Sequence, residues 1–150
     1  MEKRQDLSQT IAKLRSCVPD DKDGKEVTKL NLAVAEVVNN TNETAVRIVV
    51  YAIDEAVDFD FPVYSLSRGR WLINEKGRAY LLDEQCREYK LKDRRSMSGQ
   101  AIPLDGRISL NPGQAFEALL SFPRLSDQTQ MGVLVYGDQA FPFSLWAKSQ

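Results

Sequence analysis

Histidine is absent from this 150-residue chain. Its absence excludes Ser-His-Asp and Cys-His catalysis, histidine proton shuttles and every metal site that needs an imidazole ligand. The nucleophile and phosphate-binding motifs Gly-x-Ser-x-Gly, Ser-x-x-Lys and Gly-x-x-x-x-Gly-Lys-Ser/Thr are missing as well. We therefore expect a protein that is not an enzyme and that needs no cofactor and no metal.

Long apolar runs and an excess of one charge are also missing. The longest unbroken apolar run, Ile48 to Ile53, has six residues, whereas a membrane-spanning helix needs about 20. Twenty Lys and Arg residues oppose 21 Asp and Glu residues, so the formal net charge is −1. Nucleic-acid binding relies on clustered positive charge in excess. We expect no transmembrane segment and no nucleic-acid partner.

Cysteine is scarce, since the chain holds only Cys17 and Cys86. Their spacing matches no zinc site and no Cys-x-x-Cys redox motif. Two interpretations stay open: two buried free thiols, or one disulfide that ties the N-terminal segment to the rest of the chain and implies an oxidising compartment. The first residues are polar and lack the apolar stretch of a signal peptide. The protein is therefore cytosolic or, as we favour, periplasmic or secreted with its export signal removed.

The N-terminal segment carries the apolar spacing of an amphipathic helix. Apolar side chains recur at intervals of four, three and four residues, at Leu7, Ile11, Leu14 and Val18. Proline at position 19 ends the pattern, and a charged loop follows. This spacing predicts a helix over residues 3–17.

From residue 27 onward the apolar spacing changes to a period of two, which is typical of strands. One face of the first strand is predicted to carry Leu30, Leu32, Val34 and Val38. The run from Ala45 to Ile53 is apolar on nearly both sides, which predicts a central strand buried on both faces. A later strand alternates cleanly, with its apolar positions at Phe116, Ala118, Leu120 and Phe122.

Turn residues and proline set the remaining strands apart. Residues 74–77, Asn-Glu-Lys-Gly, predict a hairpin that joins Trp71–Ile73 to Arg78–Leu82. Proline cannot donate a hydrogen bond to a neighbouring strand, so Pro142 places the last strand, Phe141–Ala147, at a sheet edge.

The order of these turns and strands resembles a known fold. An Asn-rich turn joins two apolar strands, Glu-Lys-Gly-Arg-Ala-Tyr follows at 75–80, and Leu-Asn-Pro-Gly at 110–113 precedes the apolar strand at 118–123. This order resembles immunoglobulin-like sandwich domains of bacterial extracytoplasmic proteins. The resemblance covers about residues 27–147, implies a binding or assembly role without a shared catalytic site, and transfers no functional residues. We predict one domain, residues 1–150: an antiparallel immunoglobulin-like β-sandwich of seven or more strands behind one N-terminal helix.

An acidic stretch with interleaved aromatic residues is one candidate interaction site. Asp58, Phe59 and Asp60 lie in this stretch, and an extended chain would project both carboxylates from one side. Such a pair is suited to bind a sugar, a small ligand or a hard cation. The alternative is a solvated edge whose charges discourage aggregation.

Basic and aromatic residues form a second group of candidates. The candidate interaction residues here are Arg68, Arg70, Trp71, Arg94, Arg95 and Trp146. They would suit an acidic partner, a phosphate group or a membrane surface, and the tryptophans would act as interface anchors. A solvated loop and core packing are the alternatives.

We expect a non-enzymatic protein-binding or assembly module. It would recognise a protein partner through sandwich loops, an edge strand or the N-terminal helix. Association into a homo-oligomer stays open as well. One alternative is a cytosolic inhibitor or immunity-type protein that caps a basic target with its acidic stretch. The other is a small-ligand or carbohydrate-binding protein that uses Asp58 and Asp60.

Overall fold

The computed structural model describes residues 30–67, 69–73, 78–97, 99, 101–137 and 139–145. The predicted helix over residues 3–17 lies outside them. The described part contains twelve strands and no helix. The strands are β1 (Leu32–Asn39), β2 (Glu43–Tyr51), β3 (Val57–Asp60), β4 (Tyr64–Ser67), β5 (Arg70–Ile73), β6 (Ala79–Leu82), β7 (Glu88–Lys90), β8 (Asp93–Ser96), β9 (Arg107–Leu110), β10 (Ala115–Pro123), β11 (Met131–Tyr136) and β12 (Gln139–Ser144).

All strand pairs in the described part are antiparallel. The first sheet has the strand order β1-β2-β10-β8, and the second sheet has the order β12-β11-β6-β7. Two ribbons, β3-β9 and β4-β5, complete the strand pairing. The predicted mainly β, antiparallel architecture is confirmed.

The first sheet turns one side toward the hydrophobic core. On β10 the inward positions are those predicted, Phe116, Ala118, Leu120 and Phe122, and each is fully buried. They align with inward positions of the central strand β2, Thr44, Val46, Ile48 and Val50. Alternation with a period of two therefore sets which side of this sheet is buried.

The prediction for β1 is wrong beyond its midpoint. The register shifts between Val34 and Glu36, as in a β-bulge. A bulge inserts one extra residue and moves every later side chain to the opposite face. As a result Val37 is buried in the core, while Val38 lies on the outward side of the sheet.

The second sheet is built around β11, whose six residues are all buried. Among the strands that the structure describes, β12 pairs with β11 alone, so Pro142 does lie on an edge strand as predicted. The predicted hairpin between Trp71–Ile73 and Arg78–Leu82 is wrong. Strand β5 pairs with β4, whereas β6 pairs with β7 and β11.

One hydrophobic cluster joins both sheets and the β3-β9 ribbon. The ring of Phe116 on β10 contacts Phe59 and Phe61, with ring centroids 5.8 and 5.2 Å apart. The Tyr136 hydroxyl on β11 donates to the carbonyl oxygen of Asp60 at 2.7 Å. Burial, with the nearby charge of Asp60, raises the pKa of Tyr136 and keeps this phenol protonated. The ribbon is thereby fixed to both sheets.

Candidate functional site

The first sheet has an accessible side that faces away from the core, which we call the open face. Strand pairing aligns its side chains in rows: Ala33 with Val49 and Glu117, and Glu36 with Arg47, Leu119 and Arg95. The open face comprises Ala33, Glu36, Arg47, Val49, Tyr51, Arg95, Met97, Ala115, Glu117 and Leu119. Each of these residues is exposed or half-buried.

An ion network lies across the open face. The guanidinium of Arg47 is 2.6 Å from the Glu117 carboxylate and 3.7 Å from that of Glu36. The hydrogen bond to Glu117, together with the charges of both carboxylates, raises the pKa of Arg47 against the opposing effect of burial. These ion pairs join β2 to its two neighbours, β1 and β10. Val49 and Leu119 lie beside the charged side chains and are half-buried.

The open face is bounded at one end by a second ion pair. Glu43 is 3.9 Å from the Lys92 ammonium and accepts a hydrogen bond from the Ser121 hydroxyl at 3.4 Å. Ala45 and Ser121, which are aligned with each other in the neighbouring row, are buried. The accessible area therefore extends from this row toward Tyr51 and Ala115.

The two acidic candidates lie on the β3-β9 ribbon. Asp58 and Asp60 share one side of β3, because Phe59 between them is buried. Asp60 is aligned with Arg107 on β9, an arrangement of opposite charges that stabilises a strand pair. Phe59 packs in the core against Phe116.

The structure places the basic and aromatic candidates at separate positions, and one of them, Arg94, has a described side-chain hydrogen bond. Arg94 donates through Nε to the carbonyl oxygen of Pro62 at 2.8 Å, and it lies on the inward side of β8 next to Leu120. Arg95 is exposed and belongs to the open face. Arg68 and Trp146 lie outside the described residues. Arg70 and Trp71 are on β5, where they align with Ser67 and Leu66 of β4.

A polar cluster that the sequence reasoning missed lies in the turn between β6 and β7. The carboxylate of Asp83 is fully buried. It accepts hydrogen bonds from the backbone N–H groups of Gln85 and Arg87, both at 2.9 Å, and from Arg87 Nε and the Tyr89 hydroxyl, both at 2.8 Å. Asp at the start of a turn often bonds to backbone two residues on, a local signal that could have identified it.

These hydrogen bonds decide the charge state of Asp83. Burial alone would raise the pKa of the carboxyl group, but the donors from Arg87, Tyr89 and Gln85 together hold its pKa below its usual value. Burial, together with the hydrogen bond to Asp83, raises the pKa of Tyr89. The turn is also linked to the next loop, because the Gln130 N–H donates to Glu84 at 2.9 Å. The cluster positions a turn; it does not present a reactive group.

Cys86 lies within this turn and has a positive φ of 63°. It is disulfide-bonded, and the described residues contain no free cysteine. Cys17 lies outside the described residues, so its pairing with Cys86 remains a prediction.

The edge strands of both four-stranded sheets carry features that hinder further pairing. The bulge interrupts β1, and Pro142 removes a donor from β12. β8 carries Asp93 and Arg95 and is four residues long, and β7 is a charged strand of three residues. Short, charged, bulged or proline-containing edges discourage the addition of another strand.

Within the described residues, no group of three or more potential side-chain ligands is placed to hold a metal ion. No helix there has the length and apolar character to cross a membrane. Comparisons of the chain with protein families, curated proteins and solved structures found no match.

Proposed function

We propose that this chain is a non-enzymatic protein-binding or assembly module that recognises a protein partner through the open face. The observation that carries the proposal is the accessibility of Val49, Tyr51 and Leu119 on the two central strands of the first sheet. Met97, which is 47% exposed, extends this apolar area toward β8.

The open face has the composition of an interface centre. Tyrosine, methionine and arginine are enriched in protein interfaces, whereas lysine is depleted, and the open face contains Tyr51, Met97, Arg47 and Arg95 but no lysine. Small molecules bind mostly in concave sites, whereas a paired sheet presents a broad surface. The partner is therefore a protein with an apolar patch opposite Val49 and Leu119 and a carboxylate opposite Arg95.

We also propose that the two sheets stack as an immunoglobulin-like sandwich. Support comes from the shared core of the first and second sheets and from the packing of β1 beside β12. The disulfide of Cys86 supports export to the periplasm or cell exterior, because disulfides persist in oxidising compartments. The features of the edge strands favour recognition by a sheet face over strand addition.

Site-specific crosslinking tests this proposal. A photo-crosslinking residue at Leu119 is expected to capture the partner, whereas the same residue at the exposed Ser109 on β9 is not. With the partner purified, Leu119→Asp is expected to weaken binding at least about tenfold, as for a central interface residue. Ser109→Asp is the matched control and leaves the affinity unchanged. Equal affinities of both variants, or capture from both positions, would contradict the proposal.

The alternative of an inhibitor that caps a basic target rests on a different surface. Ile53 is 61% exposed and is followed by the exposed Asp54 and Glu55. Backbone hydrogen bonds between Ala52 and residues 113–114 anchor this acidic loop at 2.8 and 3.0 Å. A crosslinker at Ile53 decides between the two surfaces: capture there, without capture at Leu119, assigns the binding to the loop.

A further inference from the structure

A second apolar cluster lies on the outer side of the second sheet. Its members are Leu82, Met131, Val133 and Val135, each no more than 8% exposed. They alternate along the chain with core-facing neighbours such as Leu81 and Leu134, so they point away from the main core. Outward-facing side chains are buried this deeply only when something packs on them.

The side chains that the structure describes do not supply that cover. Tyr80 is the hydrophobic residue that packs against the cluster in the described part of the chain, and Arg78 stacks on its ring at 4.9 Å. The flanking residues aligned in the same rows are exposed: Glu88 and Lys90 on β7, and Ala140, Pro142 and Ser144 on β12. Since the burial is that of a single chain, the cover belongs to the chain itself.

The disulfide indicates which segment provides this cover. Cys86 lies four residues after Leu82, in the turn that Glu84 links to Gln130, directly before Met131. The bonded cysteine is thus at one end of the cluster. The only other cysteine in the sequence is Cys17, which directly precedes Val18, the last residue of the amphipathic pattern.

We propose that the N-terminal segment, residues 1–29, docks on this outer cluster, with its apolar side chains Leu7, Ile11, Leu14 and Val18 against the sheet and with Cys17 bonded to Cys86. The lengths agree. The eleven helical steps from Leu7 to Val18 span about 16 Å, and the four residue steps from Met131 to Val135 span about 13 Å. The disulfide fixes the direction, with Val18 near Met131 and Leu7 near Val135.

The chain between the docked segment and β1 is long enough for this arrangement. The backbone N–H of Leu30 donates to Gln139 Oε1 at 2.9 Å, which places Leu30 at the start of β12, the opposite end of the second sheet from Cys86. The chain from Val18 to Leu30 reaches up to about 40 Å when extended, whereas β12 is about 20 Å long. The segment can therefore return along the sheet.

Methionine oxidation provides a direct test. Met131 is 8% exposed and Met97 is 47% exposed. In the unmodified protein, hydrogen peroxide is expected to oxidise Met131 at least about tenfold more slowly than Met97, measured by peptide mass spectrometry. Leu14→Asp is expected to raise the oxidation rate of Met131 several-fold and to leave that of Met97 unchanged. Lys13→Asp, which places the same charge beside the apolar pattern, is the matched control and leaves both rates unchanged.

Two further measurements keep the test decisive if Leu14→Asp fails to unfold cooperatively. Leu7→Asp repeats the test at the other end of the segment, and peptide mapping without reduction identifies the partner of Cys86 in the unmodified protein. The proposal is overturned if both Asp variants leave Met131 protected, if Cys86 is bonded to a second copy, or if dilution alone exposes Met131.

Discussion

At the residue scale, Asp83 shows how a buried charge is made tolerable. Four donors from three nearby residues meet its two carboxylate oxygens. Because every donor lies within six positions along the chain, the cluster forms with the turn itself. These four donors replace the water molecules that the carboxylate loses on burial. The hydrogen bonds that satisfy Asp83 in the turn that carries Cys86 are therefore all local in sequence.

The Asp83 carboxylate is expected to make stability depend on acid. Its pKa is lower in the folded protein than in the unfolded chain, so its contribution is complete above the unfolded pKa of about 3.9 and is lost as the pH falls through the folded pKa. Asp83→Asn replaces one acceptor oxygen by an NH2 group, which leaves two of the four donors without an acceptor. We expect it to lower the free energy of unfolding at pH 7 by about 3 kcal/mol, measured by urea unfolding.

The exposed Asp58 provides the control for this prediction. Asp58→Asn is expected to change the free energy of unfolding by less than about 0.5 kcal/mol and to keep the acid dependence of the unmodified protein below pH 4. Asp83→Asn is expected to flatten that dependence. An acid limb of equal steepness in both variants would show that another carboxylate causes it.

At the element scale, two glycines with left-handed backbone have different roles. Gly106 has a φ of 77°, and a Cβ there would lie 2.5 Å from the carbonyl oxygen of Phe61. Gly113 has a φ of 88° with nothing within 4 Å of its Cβ position. Gly106 therefore allows the turn before β9 to approach the backbone that follows β3, whereas Gly113 serves only the turn before β10.

Replacing each glycine by alanine separates these two effects. Gly113→Ala is expected to lower the free energy of unfolding by about 1 kcal/mol, the cost of a left-handed non-glycine residue. Gly106→Ala adds a backbone clash and is expected to cost about 2 kcal/mol more, measured by thermal or urea unfolding. If the two variants lose the same stability, the ribbon adjusts to the added methyl group and close packing is not the reason for Gly106.

Alternation and local turn chemistry were enough to predict part of the fold. The inward residues of β10 follow from a period of two, and Pro142 alone marks an edge strand. The β1 bulge was not predictable, because nothing between Val34 and Glu36 distinguishes an inserted residue. The hairpin at residues 74–77 was predicted wrongly, because a turn signal does not state which strands pair.

The open face was beyond sequence reasoning for a similar reason. Its ion pair joins Arg47 to Glu117, 70 positions away, and its rows exist only once β2 has paired with both β1 and β10. The Asp83 cluster is the opposite case. Its contacts are local, and the sequence reasoning missed it because Asp83 looked like an ordinary turn residue after an apolar strand.

At the scale of the whole molecule, the outward sides of the two sheets differ. The open face of the first sheet leaves Leu119 and Val49 accessible, while the outer side of the second sheet buries Val133 and Val135 to 3% exposure. The chain covers one of these outward sheet surfaces with its own residues. The other outward sheet surface stays accessible to a partner. This asymmetry joins the two proposals, because the docked N-terminal segment blocks one side and directs binding to the other.

The disulfide is expected to contribute a large share of the stability of the whole chain. Cys17 and Cys86 are 69 positions apart, and closing a loop of that length stabilises the folded state by about 4 kcal/mol on the chain-entropy account. Reduction is therefore expected to lower the free energy of unfolding by about that amount, measured by urea unfolding at pH 7 with and without reductant.

The variant Cys17→Ser with Cys86→Ser is the control: it is expected to match the reduced protein and to be insensitive to reductant. A variant that keeps the full stability of the oxidised protein would contradict the proposed Cys17–Cys86 link. So would a disulfide-linked dimer on non-reducing electrophoresis, because both results mean that the bond does not close this loop.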